Sequence, residues 1–286
     1  MIRSTLIAAT LALSFGAEAA QPLQIQVYNA PAGSFHVNSV LVSGAREALV
    51  IDAGFTRADA LRIAANVLDS GKQLKAIYVS QADPDYYFGV EVLKGLFPQA
   101  EVLASPAVLE RIRARLPGKI AFWGPKMGAN APQQPILPQA LPGNRLTVDG
   151  ETLEIRGLDG SLAHRPYVWI PALRAIVGNI GVFGNLHVWT ADTQQREERQ
   201  AWLAQLDEMA ALGPALVVPG HMQPGTPLDA GGIAHTRDYL RRFDSEAATS
   251  SSAAELIGRM QAAYPQAGLG IALDIGAKVI KGEMQW

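Results

Sequence analysis

Val79-Ser80-Gln81-Ala82-Asp83-Pro84-Asp85-Tyr86-Tyr87-Phe88-Gly89 follows directly on the apolar run Ala76-Ile77-Tyr78-Val79. The run reads as a buried strand. Two carboxylates then stand at i and i+2, with an amide at i−2, so three oxygen donors leave one strand end together. Asp-Pro-Asp is also an ordinary turn sequence, in which aspartates bond nearby backbone amides. The two readings separate on what the rest of the chain brings to this point.

Upstream, Gln24–Tyr28, Val37–Val42 and Ala48–Asp52 read as strands, with Gly44-Ala45-Arg46 turning the second into the third. Thr56 is placed to cap a helix over 57–70, whose Ala60, Leu61, Ile63, Ala64, Val67 and Leu68 share one side. Downstream the pattern predicts helices over 90–97 and 106–116, with a strand at Glu101–Ala104 between them. Residues 118–142, rich in Pro, Gly, Ala and Gln and carrying Trp123, read as a long loop, either a lid over a face or a surface insertion. Arg145–Val148 and Thr152–Ile155 flank Asp149-Gly150-Glu151 as a hairpin. Strands follow at 167–171 and 175–179, then a helix over 196–212. The buried strand Ala215–His221 comes next, ending in a sharp turn that presents His221, and helices over 235–245 and 251–264 close the chain. Strand-rich, helix, strand-rich, helix is the order of an α/β four-layer αββα sandwich: two mixed sheets packed together with helices outside.

The first residues stand apart. Met1-Ile2-Arg3 is a basic start, Thr5–Phe15 an apolar run too short to span a bilayer comfortably, and Ala17-Glu18-Ala19 a small-x-small cleavage site. This pattern predicts a signal peptide over residues 1–19 and a mature domain over 20–286, exported to the periplasm or beyond and free of the membrane once cleaved. A net charge of −2 with mixed signs, and no basic-aromatic stripe, argue against nucleic acid as a partner. With no cysteine, disulfides, thiolate metal sites and cysteine nucleophiles are excluded.

Four segments, taken in order, resemble the metallo-β-lactamase-fold hydrolases. Asn38–Val42 with Leu49–Gly54 looks like that family's opening hairpin and Asp-x-Gly turn. Ser80–Gly89 looks like its T-H-x-H-x-D-H-x-x-G loop, Ile176–Asn179 like the strand ending in Gly-Asp, and Val217–His221 like the final Pro-Gly-His. The resemblance covers roughly residues 37–221 and implies the αββα fold. The departures fall on the ligands. The two leading loop histidines correspond to Gln81 and Asp83, the later one to Tyr86, and the bridging aspartate to Asn179. Asp85 and His221 are retained. The remaining histidine falls near 157–164, where Asp159, Ser161 and His164 are all candidates.

That substitution pattern implies an oxygen-rich site. Asp83, Asp85 and His221 are expected to hold one divalent ion, Mn, Fe, Zn or Ca, with Gln81 or Asn179 as a neutral donor, since hard oxygen ligands suit such ions better than a dizinc cluster. Asp85 would orient water, and His187 or Tyr86 would assist the leaving group of a small ester, lactone or amide. The alternative is a metal-free protein of the same fold that captures a ligand in the cleft. No Gly-x-Ser-x-Gly elbow or P-loop offers a competing chemistry.

Overall fold

The computed structural model describes residues 22–286, so the expected signal peptide and its cleavage after Ala19 lie outside the described residues. The first half runs β1 (Gln24–Asn29), β2 (Asn38–Ser43), β3 (Glu47–Ile51), α1 (Arg57–Ser70), β4 (Gln73–Val79), α2 (Pro84–Tyr87), α3 (Val90–Leu96), β5 (Glu101–Ala104), α4 (Pro106–Met127) and β6 (Gln139–Ala140). The second half runs β7 (Arg145–Val148), β8 (Glu151–Arg156), β9 (Tyr167–Ile170), β10 (Ala175–Val177), β11 (Phe183–Gly184), α5 (Arg196–Ala211), β12 (Leu216–Val217), β13 (His221–Met222), α6 (Gly231–Thr249), α7 (Ala253–Ala263) and α8 (Gly270–Ile280).

Strands β1 to β6 form one sheet in sequence order. It is antiparallel through β3 and parallel from β3 to β6. The second sheet has the order β12-β10-β9-β8-β7, with β12 alone parallel to its neighbour. Period-two alternation decides which side chains meet. Val40, Val42, Leu49, Ile51 and Tyr78 face Leu153, Ile155, Val168, Ile170 and Val177 in the layer between the sheets. The opposite faces bury Val50, Ile77 and Val79 under Ile63 and Val67 of α1 and Ile112 of α4. On the other side Trp169 and Ile176 lie under Trp202, Leu206 and Phe243 of α5 and α6. This is the expected αββα sandwich.

The hairpin turn expected at 149–151 is a tight one, with Asp149 at φ 49° and Gly150 at φ 86°. The Asp149 carboxylate accepts from the Arg46 and Glu47 amides and so ties this hairpin to the β2–β3 turn.

Two expectations need correction. The loop expected from residue 118 is helix for its first ten residues, because α4 continues through Pro117 and Pro125 to Met127. Each proline removes a ladder hydrogen bond. Packing outweighs that cost: the Trp123 ring lies edge-on to Phe35 and Phe55, at centroid distances of 5.6 and 5.2 Å. The strand expected through His221 stops at Val217, and His221 begins a separate strand, β13, paired in parallel with β11. A further helix, α8, carries Ile271 and Ile275 to the same end of the sandwich.

The end of β4 is pinned to the end of β3. Asp52, at φ 66°, accepts from both the amide and the hydroxyl of Ser80 at 2.7 Å. Gly89 closes the loop where a Cβ would lie 2.0 Å from the Ala53 carbonyl oxygen. We therefore expect Gly89→Ala to cost about 3 kcal/mol by overpacking. Gly95→Ala, in helix α3 with open space around the added methyl, should gain roughly 0.5–1 kcal/mol from helix propensity. Urea midpoints of the two variants check both signs, and equal midpoints would refute the close approach.

Candidate functional site

The Ser80–Gly89 loop leaves β4 at the edge of the first sheet and enters α2 with Pro84 in its first turn, where a missing N–H costs nothing. Asp83 occupies the N-cap position but its side chain makes no cap hydrogen bond. It turns instead toward Lys119 of α4, with Oδ1 3.8 Å from Nζ. Asp85 sits in the same helical turn and reaches across to the second half of the chain, where its Oδ2 lies 3.5 Å from His221 Nε2. The retained aspartate and the retained histidine do converge.

His221 is held on three sides. Its Nδ1 lies 2.9 Å from the Phe35 carbonyl oxygen, which can only accept, so Nδ1 carries the proton and Nε2 faces Asp85 with its lone pair. The ring stacks on Phe183 at 5.3 Å and meets Tyr86 edge-on at 5.6 Å. Phe35 and His36 both adopt left-handed backbone, φ 57° and 56°, and this costly pair aims the Phe35 carbonyl at the imidazole.

Burial sets the protonation of the pair. Desolvation pushes Asp85 up to about 7 and His221 down to about 4, because both prefer to be neutral out of water. Between those values the proton rests on the carboxyl and faces the Nε2 lone pair. Asp83 is also raised, by burial first and then by the nearby Asp192 and Asp85 carboxylates, with Lys119 opposing.

Other expected site residues are engaged elsewhere. Asn179 donates to the Val218 carbonyl at 3.1 Å and accepts from the Val182 amide at 2.8 Å, so it locks backbone and offers no oxygen to the cleft. Gln81 donates its amide to the Pro166 carbonyl at 2.9 Å. The Tyr86 hydroxyl donates to the Asn179 carbonyl at 3.1 Å, and burial raises it well above the ordinary phenol range, so it supplies no phenolate. His187 is buried against Tyr239, with Nδ1 3.1 Å from the Tyr239 hydroxyl, under α6 rather than in the cleft. Of Asp159, Ser161 and His164, only His164 reaches the site, while the first two are exposed.

The donor set does not fit the expected ion. Among the described residues, no three His, Cys, Asp or Glu side chains come together as a metal-ligand group. Asp83 faces an ammonium, Asp85 faces His221, both polar atoms of the Asn179 amide are committed, and the Gln81 amide nitrogen is bonded to Pro166. Three cationic side chains, Lys119, Arg111 and Arg165, border the space instead. The three-donor arrangement of Asp83, Asp85 and His221, with Gln81 or Asn179 added, is therefore corrected to a single Asp85–His221 pair.

The pair opens on a cavity of about 270 Å³. Phe35, Phe55, Trp123, Phe183, Trp189 and Trp286 wall it, and Asp83, Asp85, Lys119 and His221 are its polar lining. Trp286 lies edge-on to Trp189 at 5.0 Å, and Lys119 lies 5.7 Å from its ring centroid. The sequence marks few of these residues as a site. The wall rings come from distant parts of the chain, from Phe35 to Trp286, and only the fold brings them together.

The family profile described as the metallo-beta-lactamase superfamily matches residues 32–221. A metallo-beta-lactamase family protein from Thermus thermophilus superposes with a TM-score of 0.62 at 18% identity, covering 92% of this chain and 93% of that one. A metallo-beta-lactamase from Pontibacter korlensis gives a TM-score of 0.55 at 18% identity, covering 77% of this chain and 95% of that one. Among curated proteins there is no significant match.

The carboxyls give a pH signature. Asp52, desolvated though bonded to Ser80, is raised to about 8, and Asp85 to about 7. From pH 6.5 to 8 the native state thus holds protons that the unfolded chain has lost, so stability falls as pH rises. His221 and His164, both lowered to about 4, act oppositely, but below about pH 6.5. Asp85→Asn should make the fall across 6.5–8 smaller by about 1 kcal/mol. Urea titrations at three pH values measure it. An unchanged slope would mean that Asp85 titrates normally.

Proposed function

The chain belongs to the metallo-beta-lactamase superfamily, and from that premise we propose that it captures a small, largely apolar molecule in the aromatic cavity without a metal ion. Superfamily membership supports a hydrolase-type function, and the superfamily usually binds divalent metals such as zinc. The observation that carries the metal-free reading is the fate of the donors: Gln81 and Asn179 bond backbone, Asp83 faces Lys119, and Asp85 faces His221. A cavity with an aromatic wall and a few polar groups on one side suits a ring or short hydrocarbon bearing one polar group. The basic start, apolar run and small-x-small site of residues 1–19 support export to the periplasm.

A second reading has one observation in its favour. Asp85 titrates near neutrality inside the cavity, in contact with an imidazole whose other nitrogen is fixed. That suits a general base acting on a bound ester, lactone or amide. The Asp85 carboxylate takes a proton from water as the water oxygen attacks the acyl carbon, and returns it to the leaving oxygen or nitrogen. Once Asp85 has taken the proton, its carboxyl can donate to the Nε2 lone pair of His221, whose Nδ1 the Phe35 carbonyl fixes. No metal enters this step.

Elemental analysis of untagged protein should find no stoichiometric Mn, Fe, Zn or Ca, and a stoichiometric ion that survives dialysis would overturn the reading. The neutral fluorophore N-phenyl-1-naphthylamine should bind the cavity, and Trp123→Ala should weaken it roughly tenfold through loss of an aromatic wall. Undiminished binding in Trp123→Ala would place the probe elsewhere. If hydrolysis of a nitrophenyl ester is found, it should resist chelators and fall roughly 100-fold or more in Asp85→Asn. Loss of that activity to a chelator would refute the general-base step.

A further inference from the structure

Arg165 carries a charge with no counter-ion. It is 4% exposed. Its guanidinium lies over the Trp202 ring, 4.0 Å from the centroid, and Nη2 reaches only the Ile180 carbonyl, at 3.4 Å. Nη1 is buried with no hydrogen-bond partner. Among the described residues, the carboxylates nearby are engaged by other cations. Asp192 meets Arg115 at 3.1 Å and Arg111 at 3.8 Å and accepts from Trp189 Nε1, while Asp83 meets Lys119. No carboxylate lies within ion-pairing distance of Arg165 itself. A buried guanidinium without a partner is disfavoured by desolvation, so an anion that pairs with it is favoured there.

Arg165 lines a small recess. Its lining includes Arg165, Arg111, His164 and Asp192, and its volume is about 20 Å³, room for an oxygen or two and no ring. Asp83, Ile180 and Trp189 line both this recess and the aromatic cavity, so the two adjoin. The charges favour an anion there: Arg111, Arg115, Lys119 and Arg165 stand against Asp83 and Asp192. Planar Arg matches planar carboxylate with two parallel hydrogen bonds, which also settles the orientation of the bound molecule.

We infer that the ligand of the aromatic cavity carries a carboxylate, and that Arg165 receives it in the adjoining recess. This rests on the cavity reading above and deepens it to a substrate class: small organic acids with an apolar or aromatic body. Lys119, which lines the aromatic cavity, pairs with Asp83 and offsets its charge.

The test is displacement of N-phenyl-1-naphthylamine from the full mature chain at pH 7.5. The competitors are phenylacetate, 3-phenylpropionate and 4-phenylbutyrate, each paired with its primary amide. At least one acid should bind tenfold or more tightly than its amide. In Arg165→Gln that preference should shrink to about twofold, with the amide's affinity unchanged. Should Arg165→Gln fail to fold, the acid-to-amide ratio in the unaltered protein still decides. Equal affinity of acid and amide throughout the series overturns the carboxylate and leaves the cavity reading standing. Failure of the neutral probe to bind at all removes both. A preference retained in Arg165→Gln but lost in Lys119→Gln assigns the anion to Lys119 and overturns the role given to Arg165.

Discussion

Three loop ends, one from the first half of the chain and two from the second, meet with no room for a methyl group between them. At Gly220 a Cβ would stand 2.0 Å from the Asn179 carbonyl oxygen and 2.6 Å from the Tyr86 hydroxyl. The Tyr86 hydroxyl donates to that same carbonyl, and the Gly220 amide bonds to Val182. Asn38 joins from the first sheet, its side chain donating to the Pro219 carbonyl at 2.7 Å. Backbone from β2, the acidic loop, the β10 end and the β13 entrance is thereby fixed in one knot. Asp85 and His221 protrude from it at a set separation. Whatever this protein does in its cleft depends on that close packing.

Around the knot the interior has been re-chosen electrostatically. Carboxylates at a strand end can be neutralised by ions, by protons or by cationic side chains, and each choice fixes a different chemistry. Here protons and cationic side chains do the work. Asp52 and Asp85 are pushed up by burial, Asp83 faces Lys119, and Asp192 gathers Arg111 and Arg115. The amides that might have served as neutral ligands hold backbone together instead.

Much of the architecture was legible in the chain. Alternating Val40, Val42, Leu49 and Ile51 showed their inward face through period two, and Thr56 announced helix α1. The turn at Asp149-Gly150 needed residues that tolerate positive φ, and those residues are there. Of the candidate site, the meeting of Asp85 with His221 was legible from motif order. Helix α4 was not: Pro117, Gly118 and Pro125 argue locally against helix, and only the burial of Trp123 against Phe35 and Phe55 overrides them. Nor were the engagements of Gln81 with Pro166 and of Asn179 with Val218, since those partners lie 85 and 39 residues away.

Periodicity and turn chemistry are local properties, so the sequence by itself settled the layers, the order of elements and which strand ends face the cleft. The donors' freedom is a non-local property. Whether a carboxylate or amide is available to a ligand depends on which hydrogen-bonding groups the folded chain brings within about 3 Å of it, and no spacing rule encodes that. Tertiary structure alone therefore decided that the histidine-poor loop faces lysine and arginine, that Tyr86 and His187 are turned away from the cleft, and that aromatic rings from the Phe35 turn, α4, β11 and the chain beyond α8 enclose it.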